Sequence, residues 1–202
     1  RQLRHFSIRK VLRNYKNVYT NPTFLKNALA HGTMFSGKWC FVSVAPFVYM
    51  EVLKVPKNIF GYYLAGLAIS FAIFQYLAKF ITQRLGYVRL MQLGLISGLA
   101  SAFFFLSMAY FYPRSPFLLS IAVSFYFGSI AWVAPPAASL ALSPFQKAQG
   151  AAASAISNLR TFMGFIGATV GGLMADVGFI SVGIFLIITV LIPLILTLNE
   201  KG

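Results

Sequence analysis

Six apolar stretches separated by short polar breaks organise this chain. They are predicted as helices at about Ala28–Met50, Ile59–Leu77, Val88–Tyr112, Phe117–Leu142, Ala151–Ala175 and Ile180–Leu198. About 20 such residues suffice for a helix to cross a bilayer. The break Lys54-Val55-Pro56-Lys57-Asn58 separates the first two stretches, and Pro113-Arg114-Ser115-Pro116 forces a turn before the fourth. Connections this short predict that sequential helices are antiparallel neighbours. Ahead of them, basic residues (Arg1, Arg4, Arg9, Lys10, Arg13, Lys16) alternate with Leu3, Phe6, Val11, Leu12, Tyr15 and Tyr19 at roughly helical intervals. Residues 1–24 are therefore predicted as a basic amphipathic segment at a membrane surface, facing anionic headgroups, with a flexible basic linker as the alternative. Asn21-Pro22 marks entry into the six-helix domain, residues 25–202, because proline suits a first helical turn.

Polar residues inside the apolar stretches identify the faces that meet protein. Arg160 lies well within Ala151–Ala175. A charge there costs roughly 2.5–3.5 kcal/mol on the most lenient insertion scale, so it should face protein or a water-filled cavity. Ala153, Gly164, Gly167 and Gly171 share its helical face, and Gly167-x-x-x-Gly171 has the spacing that lets two membrane helices approach closely. Gly94-x-x-x-Gly98, followed by Ala102, gives the third stretch a similar seam.

Composition narrows the class. The chain has 202 residues, 58% hydrophobic and 10% charged, values that fit neither a soluble nor a disordered domain. Its net charge of +14 does not indicate nucleic acid, because the basic residues sit in the gaps between apolar runs. If residues 1–26 are cytoplasmic, 12 of the 17 Lys and Arg fall on that side and 3 on the other, with Lys38 and Arg160 inside helices. That asymmetry places both ends in the cytoplasm. The first residue is Arg1 rather than Met, which predicts part of a longer protein. Residues 1–22 lack the apolar core of a secretory signal. Cys40 reads as a small buried core residue. Two histidines and three acids offer no metal site, cofactor site or hydrolytic constellation, so no enzyme is expected.

Candidate chemistry gathers in a few places. Lys38 lies near the middle of the first stretch, with His31, Phe35 and Val42 on the same face. That stripe is suited to lining a cavity whose ammonium attracts an anionic or polar ligand, and a snorkelling Lys38 is the plainer alternative. Arg160 either binds substrate or clamps helices together. Asn158 and Thr161 point elsewhere around the same helix, where they can donate hydrogen bonds across the bundle. Residues 78–89 predict a tight cytoplasmic hinge with basic Arg84 and Arg89 flanking Gly86. Pro46, the Pro135-Pro136 pair and Pro193 predict bends or breaks suited to gating.

The run Pro135-Pro136-Ala137-Ala138-Ser139-Leu140-Ala141-Leu142-Ser143-Pro144-Phe145, leading into Ala148-Gln149-Gly150-Ala151-Ala152-Ala153-Ser154-Ala155, resembles the tenth-to-eleventh helix region of major facilitator superfamily drug exporters. The nearest branch is the Bcr/CflA-type drug:proton antiporters, which Ala45-Pro46-Phe47-Val48-Tyr49 also resembles. Arg84, Gly86 and Arg89 match a degenerate copy of the superfamily's cytoplasmic motif, although Thr82-Gln83 stands where its aspartate belongs. The resemblance implies an all-α integral membrane protein. It would be the C-terminal six-helix half of a twelve-helix transporter, a 3+3 inverted repeat that binds a small-molecule substrate against a missing N-terminal half. It further implies protons as coupling ion, drug efflux, and a bacterial inner membrane. No Asp or Glu lies within the predicted spans, so the proton-carrying carboxylate would belong to the other half. The buried charges being positive, an anionic, zwitterionic or chelator-like substrate fits as well as a cation. A non-transporting membrane scaffold that docks partner helices is the second reading.

Overall fold

A computed structural model describes residues 8–146, 148–175 and 178–197, and among them there is no strand. Arg1, Arg4, Lys147, Asp176, Glu200 and Lys201, and the side chains of Arg9 and Lys10, lie outside the described residues. The helices are α1 (Ile8–Tyr19), α2 (Pro22–Pro46), α3 (Lys57–Phe111), α4 (Pro116–Leu142), α5 (Gln149–Met174) and α6 (Phe179–Thr197).

Local chemistry explains the ends. Asn21 caps α2 by accepting a hydrogen bond from the Phe24 N–H at 3.0 Å, with Pro22 in the first turn. Ser115-Pro116 repeats the device at α4, where the Ser115 hydroxyl accepts from the Leu118 N–H at 3.4 Å. α2 ends at Pro46, which lacks a donor and crowds the preceding turn, and the chain widens into a π-helical turn at Phe47–Val52.

Two predicted features change. The hinge predicted over residues 78–89 shrinks to one residue: α3 is 55 residues long and departs from helical geometry only at Gly86 (φ 78°, ψ 173°). Residues 78–85 stay helical because Lys79, Gln83 and Arg84 are good helix formers with stems long enough to carry their polar ends outward. The backbone at Gly86 lies in a region essentially reserved for glycine, and a Cβ added there meets nothing within 4 Å. Its role is conformational. Likewise Pro135 and Pro136 do not break α4, which runs through them to Leu142.

Among the described residues three helical stretches are long and apolar enough to cross a membrane: Lys57–Phe111, Pro116–Phe145 and Phe179–Thr197. α2 and α5 match them in length but are diluted by His31, Lys38 and Arg160 and by serines and glycines. Large apolar side chains such as Phe103, Phe111, Phe165, Leu173, Ile184 and Ile195 face outward. A water-soluble monomer rarely exposes so much contiguous apolar surface.

Packing is largely non-sequential. α2 sits at the centre, chiefly on α5 and then on α4 and α6, while α3 packs on α4 and α6. The expectation of sequential neighbours holds for α3 and α4. It fails for α5, which touches α4 and α6 only lightly, because its glycines fit α2 instead. Tyr126 pins the centre: its fully buried hydroxyl lies 2.8 Å from Thr189 Oγ1 and donates to the Met34 carbonyl at 3.4 Å, joining α4, α6 and α2. At one end of α2, Tyr49 bonds Ser120 at 2.7 Å within a ring cluster of Phe41, Phe60, Tyr63 and Phe179. Cys40 is free and buried. α1 lies on the start of α5, with the Tyr15 hydroxyl 2.6 Å from Ser154 Oγ and Val18 fully buried, while Leu12, Arg13 and Lys16 remain exposed.

Candidate functional site

The α2–α5 seam is made of small residues set against backbone. A Cβ on Gly167 would strike the Ser36 carbonyl, and one on Gly171 would strike Ser43 Oγ and the Cys40 carbonyl. Gly164 faces the Phe35 and Trp39 rings, and Gly32 faces Met163. The predicted small-residue face is thus the contact face over Gly164, Gly167 and Gly171. Ala153 is the exception: it is exposed, and Ala152, Ala155 and Ile156 are buried in its place, packed with Val18, Phe24, Ala28 and Ala141. The contact at that end is made by α1 and the ends of α2 and α4, approaching from another side.

This close approach assembles the cations. The Arg160 guanidinium stands over the Phe35 ring, Cζ 5.1 Å from its centroid. Lys38 Nζ lies 5.4 Å from the same ring and 5.8 Å from each of Phe71 and Phe127. Both cations therefore lie over Phe35, and their separation is bounded by the sum of the two Phe35 distances. Arg160 Nε is buried without a hydrogen-bond partner, as is His31 Nδ1. His31 is buried one turn away, its ring 6.4 Å from Phe35. Among the described residues no carboxylate pairs with either cation; Glu51, in the π-helical turn, is exposed.

A cleft of about 350 Å³ opens beside the pair, lined by Phe35, Trp39, Arg160, Thr161, Gly164 and Phe165, with Ala168 beneath. Lys38 is half-buried behind Phe35, and Val42 continues the stripe. Asn158 is exposed on another side of α5 and does not join the cluster.

The other predicted residues lie apart. Pro135 and Pro136 border a second cleft of about 360 Å³ with Lys79, Thr82, Gln83 and Tyr87. Arg84 and Arg89 are exposed on either side of Gly86, and Pro46 is at the end of α2. Phe71, Phe127 and Trp39 were not legible as site residues, since nothing in a phenylalanine-rich sequence separates a ring facing lipid from one facing Lys38. The one available signal was helical phase, which puts Phe127 one residue from the central Tyr126.

Compared with known proteins, the chain matches no family model and no curated protein.

Proposed function

We propose that this chain is the C-terminal half of a secondary transporter of the major facilitator type, with six membrane-crossing segments and proton-coupled export of small organic molecules. The observation that carries the reading is the Lys38–Phe35–Arg160 cluster, two cations held mid-helix in an apolar bundle beside an open cleft. A charge kept at such cost in a membrane helix marks a substrate or ion pathway by default.

The helix pairing supports it. Taking α3 as two spans joined at Gly86, the first span packs against the fifth and the second against the fourth. The first and fourth both open on a cap followed by proline. That reciprocity is what a 3+3 inverted repeat requires. α2 and α5 then cross the bilayer despite their lower hydropathy, with polar residues turned inward. Both ends are cytoplasmic, and the membrane is the bacterial inner membrane. No bound cofactor takes part, and no bond of the solute is made or broken.

Reconstitution of the full-length protein tests this. In proteoliposomes an imposed pH gradient should drive accumulation of an organic solute, and a protonophore should abolish it. Folded protein that moves no solute under any gradient would favour the scaffold reading. For topology, a cysteine replacing Ser115 should react with an impermeant thiol reagent from the outer face of intact cells. Labelling only after lysis would reverse the orientation.

A further inference from the structure

We infer that the cleft between α2 and α5 takes an organic anion with an aromatic body, an aryl carboxylate, whose charge meets Arg160 and whose ring lies against Phe35 and Trp39. The inference rests on the transporter reading for its purpose, and on the geometry alone for its chemistry.

Unmet demand on the cations is the starting point. Three phenylalanine rings surround Lys38 Nζ and one faces Arg160, and none offers a lone pair. Cation–π contact stabilises a cation that has lost water. Holding a cation at the centre of a membrane helix carries a cost. The rings offset part of that cost, and Arg160 Nε still lacks an acceptor. The nearest described acid along α2 is Glu51, thirteen residues beyond Lys38 and roughly 20 Å away along a helix. Among the described residues no negatively charged acceptor reaches Arg160, and an anionic ligand would supply one.

The shape of the cleft then selects among anions. Its volume of about 350 Å³ suits one small organic molecule, and Phe35, Trp39 and Phe165 give it aromatic walls. Among the described residues Arg160 is the only charged one lining it, and a guanidinium fork matches a carboxylate's two oxygens. Lys38, behind Phe35, adds a second positive charge without touching the ligand. An organic cation of the same shape meets two like charges there, a repulsive element that discriminates as strongly as the attraction.

Probes of equal shape and different charge test the inference. The full-length protein in detergent would be titrated with 4-nitrobenzoate, 4-nitrobenzyl alcohol and 4-nitrobenzylammonium, following quenching of tryptophan fluorescence. Saturable quenching by 4-nitrobenzoate is expected, at least tenfold tighter than by the ammonium probe, with W39F removing most of the signal. R160Q should weaken nitrobenzoate binding at least tenfold, R160K should restore part of it, and K38Q should weaken it about threefold. Equal affinity for the three probes, or nitrobenzoate binding untouched by R160Q, overturns the proposal. If R160Q does not yield monodisperse protein, the ranking of the three probes on the native protein decides. Proteoliposomes that bind nitrobenzoate but move no solute would remove the transport reading and leave this one standing. Gradient-driven transport with a preference for the ammonium probe would do the reverse.

Discussion

The α2–α5 and α3–α4 interfaces solve the same packing problem with different materials. Both bring a glycine against a bulky group. On α5, Gly167 and Gly171 press on the backbone and hydroxyls of α2. On α4, Gly128 receives the Phe74 ring of α3, and the Trp132 indole N–H donates to the Phe74 carbonyl at 2.8 Å. Farther along α3, Gly94 rests on Trp132 at the turn whose carbonyls lose donors to Pro135 and Pro136. Backbone cannot yield, whereas a side chain can shift. The first interface is therefore unyielding along its backbone, and the second is sealed by aromatic side chains that can adjust.

The sharpest way to break this contrast is glycine substitution. Gly167→Val should abolish the α2–α5 seam and cost more than about 3 kcal/mol, because an added Cβ meets carbonyl oxygen. Gly128→Ala, against a side chain that can shift, should cost about 1–3 kcal/mol. Equilibrium unfolding of the full-length protein in mixed micelles reads both, and equal losses would erase the distinction. Gly86→Ala should cost about 1–3 kcal/mol through backbone strain alone. Of similar size but opposite sign, Lys38→Met should stabilise the bundle by about 1–3 kcal/mol by removing an unpaired cation, while lowering transport at least tenfold. A Lys38→Met protein less stable than its parent would mean the ammonium is satisfied by its rings. Least of all, Trp132→Phe should cost about 0.6 kcal/mol for one interhelical hydrogen bond in an apolar setting.

Much of this arrangement was legible in the sequence, for reasons that differ from place to place. Asn21-Pro22 and Ser115-Pro116 announce helix starts because cap and proline chemistry is local. Gly94, Gly98 and Ala102 announce a seam because small residues at that spacing have little other use; all three are buried. Gly86 was legible as a hinge, but its economy was not, since propensity alone does not say how far a helix persists past its last apolar residue. The α2–α5 pairing was hidden because glycine spacing identifies a contact face and never the partner. Lys38, Phe35 and Arg160 were each suspect as single residues. That both cations lie over Phe35 depends on that pairing, 122 positions apart in the chain for Lys38 and Arg160. Asn158 was suspect by residue type only, and the fold turns it outward.

The single-residue joint at Gly86 has a mechanical consequence. Two rods, each about as long as a bilayer is thick, meet there with no slack between them. The first rod carries Phe71 beside Lys38, and the second abuts α6 through Leu106 at Gly183, so a single helix with one glycine joint reaches from the cations to α6.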